Sequence, residues 1–307
     1  GTFANEKLTE KEWNFQIGKN AGLFQKLEDF PTKLSDVTDL FVGLQTDGDS
    51  IYILEQIEVK ADKVKCFSKE TEKEHLFENS HLKYLIKGSV NIKRYGLENL
   101  SKRLIFPYVT EGNKSHLLKQ SDYKESFPLT WDYLESNKKK LITRNKGQMG
   151  NEWYGYVYKK NHTKFDQKKL IVPSIAIQAS FAYDSKGEYY FVGSGGGGGG
   201  GYGITIKEGI PMSYECLLGL LNSKLLDSYL QSYSSPFRGG YFAYNRQYIE
   251  KLPIYIPNKA DKEKFPLTQK IEEMVKQILE LRKNGKATDA EFLEKKIDEM
   301  VEKLYGV

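Results

Sequence analysis

Short runs of alternating apolar and polar residues fill the middle of the chain, and a different rhythm takes over at its end. Leu40-Phe41-Val42-Gly43-Leu44-Gln45 and Ile51-Tyr52-Ile53-Leu54 read as strands around the turn Thr46-Asp47-Gly48-Asp49. Residues 56–65 alternate in the same way, and residues 66–80 read as a polar connection. Residues 81–96 and 103–109 follow as further short strands. Trp131, Leu134 and Leu141 give residues 131–145 helical spacing, whereas 153–158, 170–172 and 189–192 return to strand character. Residues 212–234 predict an amphipathic helix bent near Asn222-Ser223, and 248–257 close the sheet region. Residues 1–40 read as helix and loop, anchored by Trp13, Phe15, Leu23, Phe24 and Leu27.

In the tail, Leu267, Ile271, Met274, Ile278 and Leu281 are spaced 4, 3, 4 and 3 apart, a heptad seam. Asn284-Gly285 breaks it, and Thr288 with Glu291 three residues on predicts a capping box. Leu293, Ile297, Met300 and Leu304 supply a matching face. Two antiparallel helices, 266–283 and 288–304, are expected to pack on each other and on the preceding domain. The fold class expected is α+β: a mixed, mainly antiparallel β-sheet domain with packed helices, followed by an α-helical hairpin. Its divisions are a connecting segment over 1–39, the sheet domain over 40–258 and the hairpin over 259–307.

The 307 residues are long enough to bury a sizeable core. No apolar run approaches a membrane span and no signal peptide opens the chain, so no membrane partner and a cytoplasmic location are expected. Cys66 and Cys216 are the only cysteines, and the four histidines have no metal-ligand spacing. Charge changes the picture more. Residues 1–80 hold 10 basic and 16 acidic side chains, 81–258 hold 25 and 14, and 259–307 hold 11 of each. A basic centre of +11 suits either a polyanion or a lysine-rich solvated surface.

Within that centre, seven glycines run unbroken from Gly195 to Gly201. Gly193, Gly195 and Gly198 satisfy G-x-G-x-x-G, but dinucleotide binding requires a helix to open directly after the loop. Tyr202 to Lys207 alternates as a strand instead, and no Gly-Lys-Ser/Thr follows. A strand-flanked hairpin loop that brings bare backbone close to a partner is expected, with an idle excursion as the alternative.

No nucleophile elbow or Ser/His/Asp order is present. Asp49 followed by Glu58-Val59-Lys60 resembles a metal-dependent nuclease pattern, although Glu58 and Lys60 also suit the wet face of a strand. Three basic and amide clusters point elsewhere. Lys87, Lys93 and Arg94 form the first; Lys138, Lys140, Arg144, Lys146, Gln148 and Asn151 the second; Arg238, Tyr241, Tyr244 and Arg246 the third. Lys and Arg neutralise phosphates, and Arg, Gln and Asn can read base edges. Together with Ser194 and Gly196 of the glycine run, these are the expected DNA-binding residues.

These residues lie among segments that carry a resemblance. "LFVGLQTDGDSIYIL", "LIKGSVNIKRYG", "RLIFPY", "FPLTWDYLESNKKKLITR", "KLIVPSIA" and "LLGLLNSKLLDSYLQ" with "YIEKLPI" follow in order from about residue 40 to residue 257. Together they resemble the TaqI-like C-terminal target recognition domain of adenine-specific DNA methyltransferases and fused type IIG restriction–modification enzymes. The tail resembles the helices that follow that domain. The resemblance implies a duplex-DNA recognition module, not catalytic by itself, whose partners are double-stranded DNA and the methyltransferase and nuclease domains of the same protein. No cofactor is expected in these residues; S-adenosylmethionine, and Mg²⁺ for any nuclease domain, are expected for the parent. Half of a type I specificity subunit and a protein-interaction module remain as alternatives.

Overall fold

Every position of strand Lys169–Pro173 is buried, because both of its faces are covered. Leu170 and Val172 enter one hydrophobic core and Ile171 another. The period of two divides its neighbours in the same way: Leu40 and Ile204 join the first core, Phe41 and Ala182 the second. The computed structural model describes residues 21–193 and 200–307. In it, a four-stranded antiparallel sheet runs in the order Thr38–Val42, Gly201–Ile206, Lys169–Pro173, Ala182–Asp184. It lies between the two cores.

The first core is closed by helices Tyr214–Leu221, Lys224–Tyr233, Phe265–Lys283 and Ala287–Tyr305. The second lies under a six-stranded sheet ordered Tyr189–Phe191, Leu82–Ile86, Lys102–Ile105, Ile53–Lys60, Lys63–Ser68, Lys73–Glu78. Helices Gln120–Ser126, Pro128–Ser136 and Lys138–Ile142 cover it. All pairings in that sheet are antiparallel except the first. A parallel bridge between Leu44 and Val192 joins the two sheets. The class is α+β, with mostly antiparallel sheets and a terminal helical hairpin, as expected.

Several local expectations are corrected. Residues 66–80 are not a connection: they finish one strand and form another, and Val64, Cys66 and Phe77 bury one face while charged residues keep the other wet. Ile51 and Tyr52, expected in a strand, lie instead in the helical turn Asp49–Tyr52, where the Thr46 hydroxyl donates to Asp49 Oδ1 (2.5 Å). Residues 153–158 form no strand; the carbonyls of Trp153, Tyr154 and Gly155 are claimed by the side chains of Tyr52 and Arg144. The glycine run does not close a hairpin, because the strands on its two sides belong to different sheets.

The bend at Asn222-Ser223 is a full break between two helices. The Asn222 side chain pairs with both backbone groups of Phe181 (3.0 and 2.9 Å), and Ser223 caps the second helix by accepting from the Leu226 amide (3.3 Å). The tail turns at Gly285, where φ is +73° and the Lys286 amide reaches back to the Leu281 carbonyl. Ala287–Tyr305 begins one residue before Thr288, so the expected capping box does not form. Ile271, Val275, Ile278, Ile297, Val301 and Leu304 sit in the same core as Leu217 and Leu218. Among the described residues, no helix is long and apolar enough to cross a membrane.

Candidate nucleic-acid interface

Ser174 ties several surface segments together. Its amide donates to the Gly200 carbonyl (3.0 Å), and its carbonyl accepts from the Tyr244 amide (2.8 Å). The following strand Ile175–Ala176 pairs with Tyr241–Ala243, which pairs with Pro236–Phe237. Helical turn Gly88–Asn91 sits against this strand and against Lys169–Pro173. Ile92 lies beside Gly201, its Cδ1 3.5 Å from where a Cβ would stand. The glycine run leaves and rejoins the fold at the same place. Gly193 donates to the Leu44 carbonyl (2.8 Å) and Gly201 to the Val192 carbonyl (3.1 Å).

Described residues of four stretches meet here: 84–97, 167–183, 189–193 with 200–207, and 228–249. None contains an aspartate or glutamate, in a chain with 41 of them, yet they carry Lys87, Lys93, Arg94, Arg238 and Arg246. Arg238 is exposed and has no partner among the described residues. Lys87 is half-buried, and its ammonium has none either. Lys93 bonds the Ser89 carbonyl (2.7 Å), Arg246 pairs with Glu250 (3.2 Å), and Tyr241 is partly exposed.

Two members of the expected set point inward instead. The Arg94 guanidinium is held by Glu294 of the tail (2.5 Å) and by the Asn222 carbonyl. Tyr244 is fully buried and its hydroxyl donates to Asp227. Neither can reach a partner while those contacts persist. Ser194 and Gly196 lie outside the described residues.

The second basic cluster divides as well. Arg144 spends its guanidinium on four carbonyls, those of Leu141, Thr46, Trp153 and Gly155 (2.6–3.1 Å). It is a clasp for the loop, a role with no local signature because Thr46 is 98 residues away. Lys140 pairs with Glu70 (2.5 Å), and Lys138 with Glu135 (3.8 Å) above the Trp153 ring. Lys146, Gln148 and Asn151 are exposed, as is Lys139. Thr46 is two residues from Leu44, so the Arg144 clasp stands within about 7 Å of chain from the base of the glycine run.

The nuclease-like residues are not brought together. Asp49 precedes strand Ile53–Lys60, and Glu58 stands near its far end, about 16 Å along. Glu58 faces Lys65 across the hairpin and pairs with Lys60 (3.0 Å). Among the described residues, no group of three or more His, Cys, Asp and Glu is placed to hold a metal ion.

One family accounts for most of this chain: residues 55–254 match the TaqI-like C-terminal specificity domain. The chain belongs to that family. The match spans the six-stranded sheet from its strand Ile53–Lys60, the glycine run and the acid-free edge, and stops before the helical hairpin. Membership carries a DNA-recognition role in restriction–modification. DNA is a polyanion, the partner class that suits the +11 centre.

Proposed function

We propose that the chain recognises a particular duplex DNA sequence for an adenine-specific DNA methyltransferase, alone or fused to an endonuclease, whose chemistry resides in other domains of the same protein. The observation that carries this reading is the acid-free edge. Described segments far apart in sequence meet there with Lys87 and Arg238 unpaired, an arrangement suited to phosphates and groove walls. Lys87 and Arg238 are the side chains best placed to reach DNA on that edge. Lys139 and Lys146 extend the surface across the Arg144 clasp.

The glycine run lacks the loop-to-helix order of a nucleotide cradle: the chain continues from it into strand Gly201–Ile206, so no helix opens directly after it. The glycines flanking it are closed by protein: a Cβ at Gly203 would overlap the Phe41 ring, and one at Gly193 would stand 3.0 Å from the Gly43 carbonyl oxygen. S-adenosylmethionine, and Mg²⁺ where there is a nuclease, are assigned to the partner domains.

A filter-binding titration of this chain on duplex DNA, at about 50 and 200 mM salt, tests the proposal. Six to ten phosphate contacts predict a loss of roughly 10³–10⁵ in affinity between those conditions. Absence of binding at the lower salt would overturn it in favour of a protein-interaction module.

A further inference from the structure

We propose that Ile177, Tyr241 and Phe237, with Arg238 at the tip beside them, form the element that enters a DNA groove and distinguishes base pairs. This deepens the DNA-recognition reading above and rests on it. Ile175 pairs with Ala243 and Ala176 with Phe242, and Ile177, in the bend that ends this strand, comes next on the side of Tyr241, which pairs with Phe237. Side chains opposite one another on neighbouring strands share a face. Three large apolar or aromatic groups therefore stand side by side.

They are open to solvent. Ile177 is 57% exposed and Phe237 49%, and Val90, on the helical turn packed against the same strand, is 61% exposed. Val90 and Ile177 are two of the three most exposed large hydrophobics among the described residues. A cluster of this kind inside a polar, basic surround marks a contact surface.

The tip is equally specific. Arg238 is followed by Gly239 and Gly240 at φ +79° and +76°, a left-handed conformation that favours glycine. The result is a narrow protrusion with one long cation and bare backbone behind it. A β-ribbon of this kind fits the major groove. There a guanidinium bonds guanine O6 and N7 together, and apolar groups contact the thymine methyl. Arg238 and the Lys87 ammonium have no carboxylate partner among the described residues, and this uncompensated positive charge favours DNA over a protein partner.

The test enriches bound duplexes from a randomised pool. Dissociation constants are then measured for the enriched duplex and for each of its single-base-pair variants. Proteins compared are the unmodified chain, Arg238→Ala, Arg238→Lys, Phe237→Ala and Lys139→Ala, with thermal unfolding run on each. Arg238→Ala is expected to weaken the enriched duplex roughly 5- to 150-fold and to lose discrimination at one or two adjacent positions. Arg238→Lys keeps the charge but not the fork, so it should lose the same discrimination with an unchanged salt slope. Phe237→Ala should flatten a neighbouring A·T preference, and Lys139→Ala should weaken all duplexes alike. The proposal is overturned if both Arg238 variants and Phe237→Ala keep full discrimination at every position. An unmodified chain that binds DNA but enriches no sequence overturns it too. A chain that binds no DNA at all overturns the DNA-recognition reading itself.

Discussion

Replacing Arg94 by alanine is expected to destabilise the fold by about 3 kcal/mol and to leave the salt dependence of DNA binding unchanged. Arg94 and Glu294 have side chains 13% and 10% exposed and meet at 2.5 Å. Breaking a buried ion pair by removing one partner costs about 3–5 kcal/mol, because the other charge is left buried. Glu294 keeps a second partner, Arg282 at 2.6 Å, which places the loss at the lower end of that range. That total includes about 1 kcal/mol for the Asn222 carbonyl, which loses its donor. Urea unfolding reads the stability as a lower midpoint at constant m. Filter binding at two salt concentrations reads the DNA side, where a lost phosphate contact would flatten the slope by about 0.9. A variant with the original midpoint and a slope flattened by about 0.9 would refute the reasoning and return Arg94 to the DNA-contacting set. The double variant Arg94→Ala/Glu294→Ala should lose less than the sum of its single variants, since the two share one interaction.

Gly219→Ala should destabilise by about 1–2 kcal/mol in the same unfolding assay, because its Cβ would stand 2.5 Å from Ile271 Cγ2 and force the tail helix away. Equal or greater stability would mean that the tail is not packed tightly there. Gly203→Ala should lower the melting temperature, since the Phe41 ring occupies the space of the new methyl. An unchanged melt would contradict that packing. Burial depresses the pKa of His81 to about 3 and of His162 to about 4, so both are neutral in the fold, whereas an unfolded histidine protonates near 6.5. Stability is therefore complete above pH 6.5 and falls below it, by up to about 1.4 kcal/mol per pH unit for each histidine until the folded pKa is reached. Urea midpoints that stay flat from pH 7 to pH 5 would contradict this.

The tail was the most legible part of the chain, because a heptad seam ending in Asn284-Gly285 carries its own periodicity and its own stop. The helix break at Asn222-Ser223 was legible for a related reason: both residues offer side-chain bonds that compete with the helix. Residues 66–80 misled because the last two strands at one edge of the six-stranded sheet, Lys63–Ser68 and Lys73–Glu78, keep charge on one face, and charge conceals alternation. The candidate site was legible as composition and not as geometry. Arg94 looked like a free cation because its partner, Glu294, lies 200 residues away. Arg144 is claimed by backbone carbonyls, which no sequence pattern announces. The row Ile177–Tyr241–Phe237 exists only through strand pairing, so Tyr241 could be named from its basic, aromatic surroundings while Ile177 and Phe237 could not.

The claim that matters most is that this chain reads DNA sequence and does more than hold phosphate. It is tested most directly by incubating the unmodified protein with a randomised duplex pool at physiological salt, in the presence of excess non-specific competitor, and sequencing what is retained. A single enriched motif, bound at least about 10³-fold more tightly than unrelated duplex, is predicted. A retained pool with the same base frequencies as the input would contradict it.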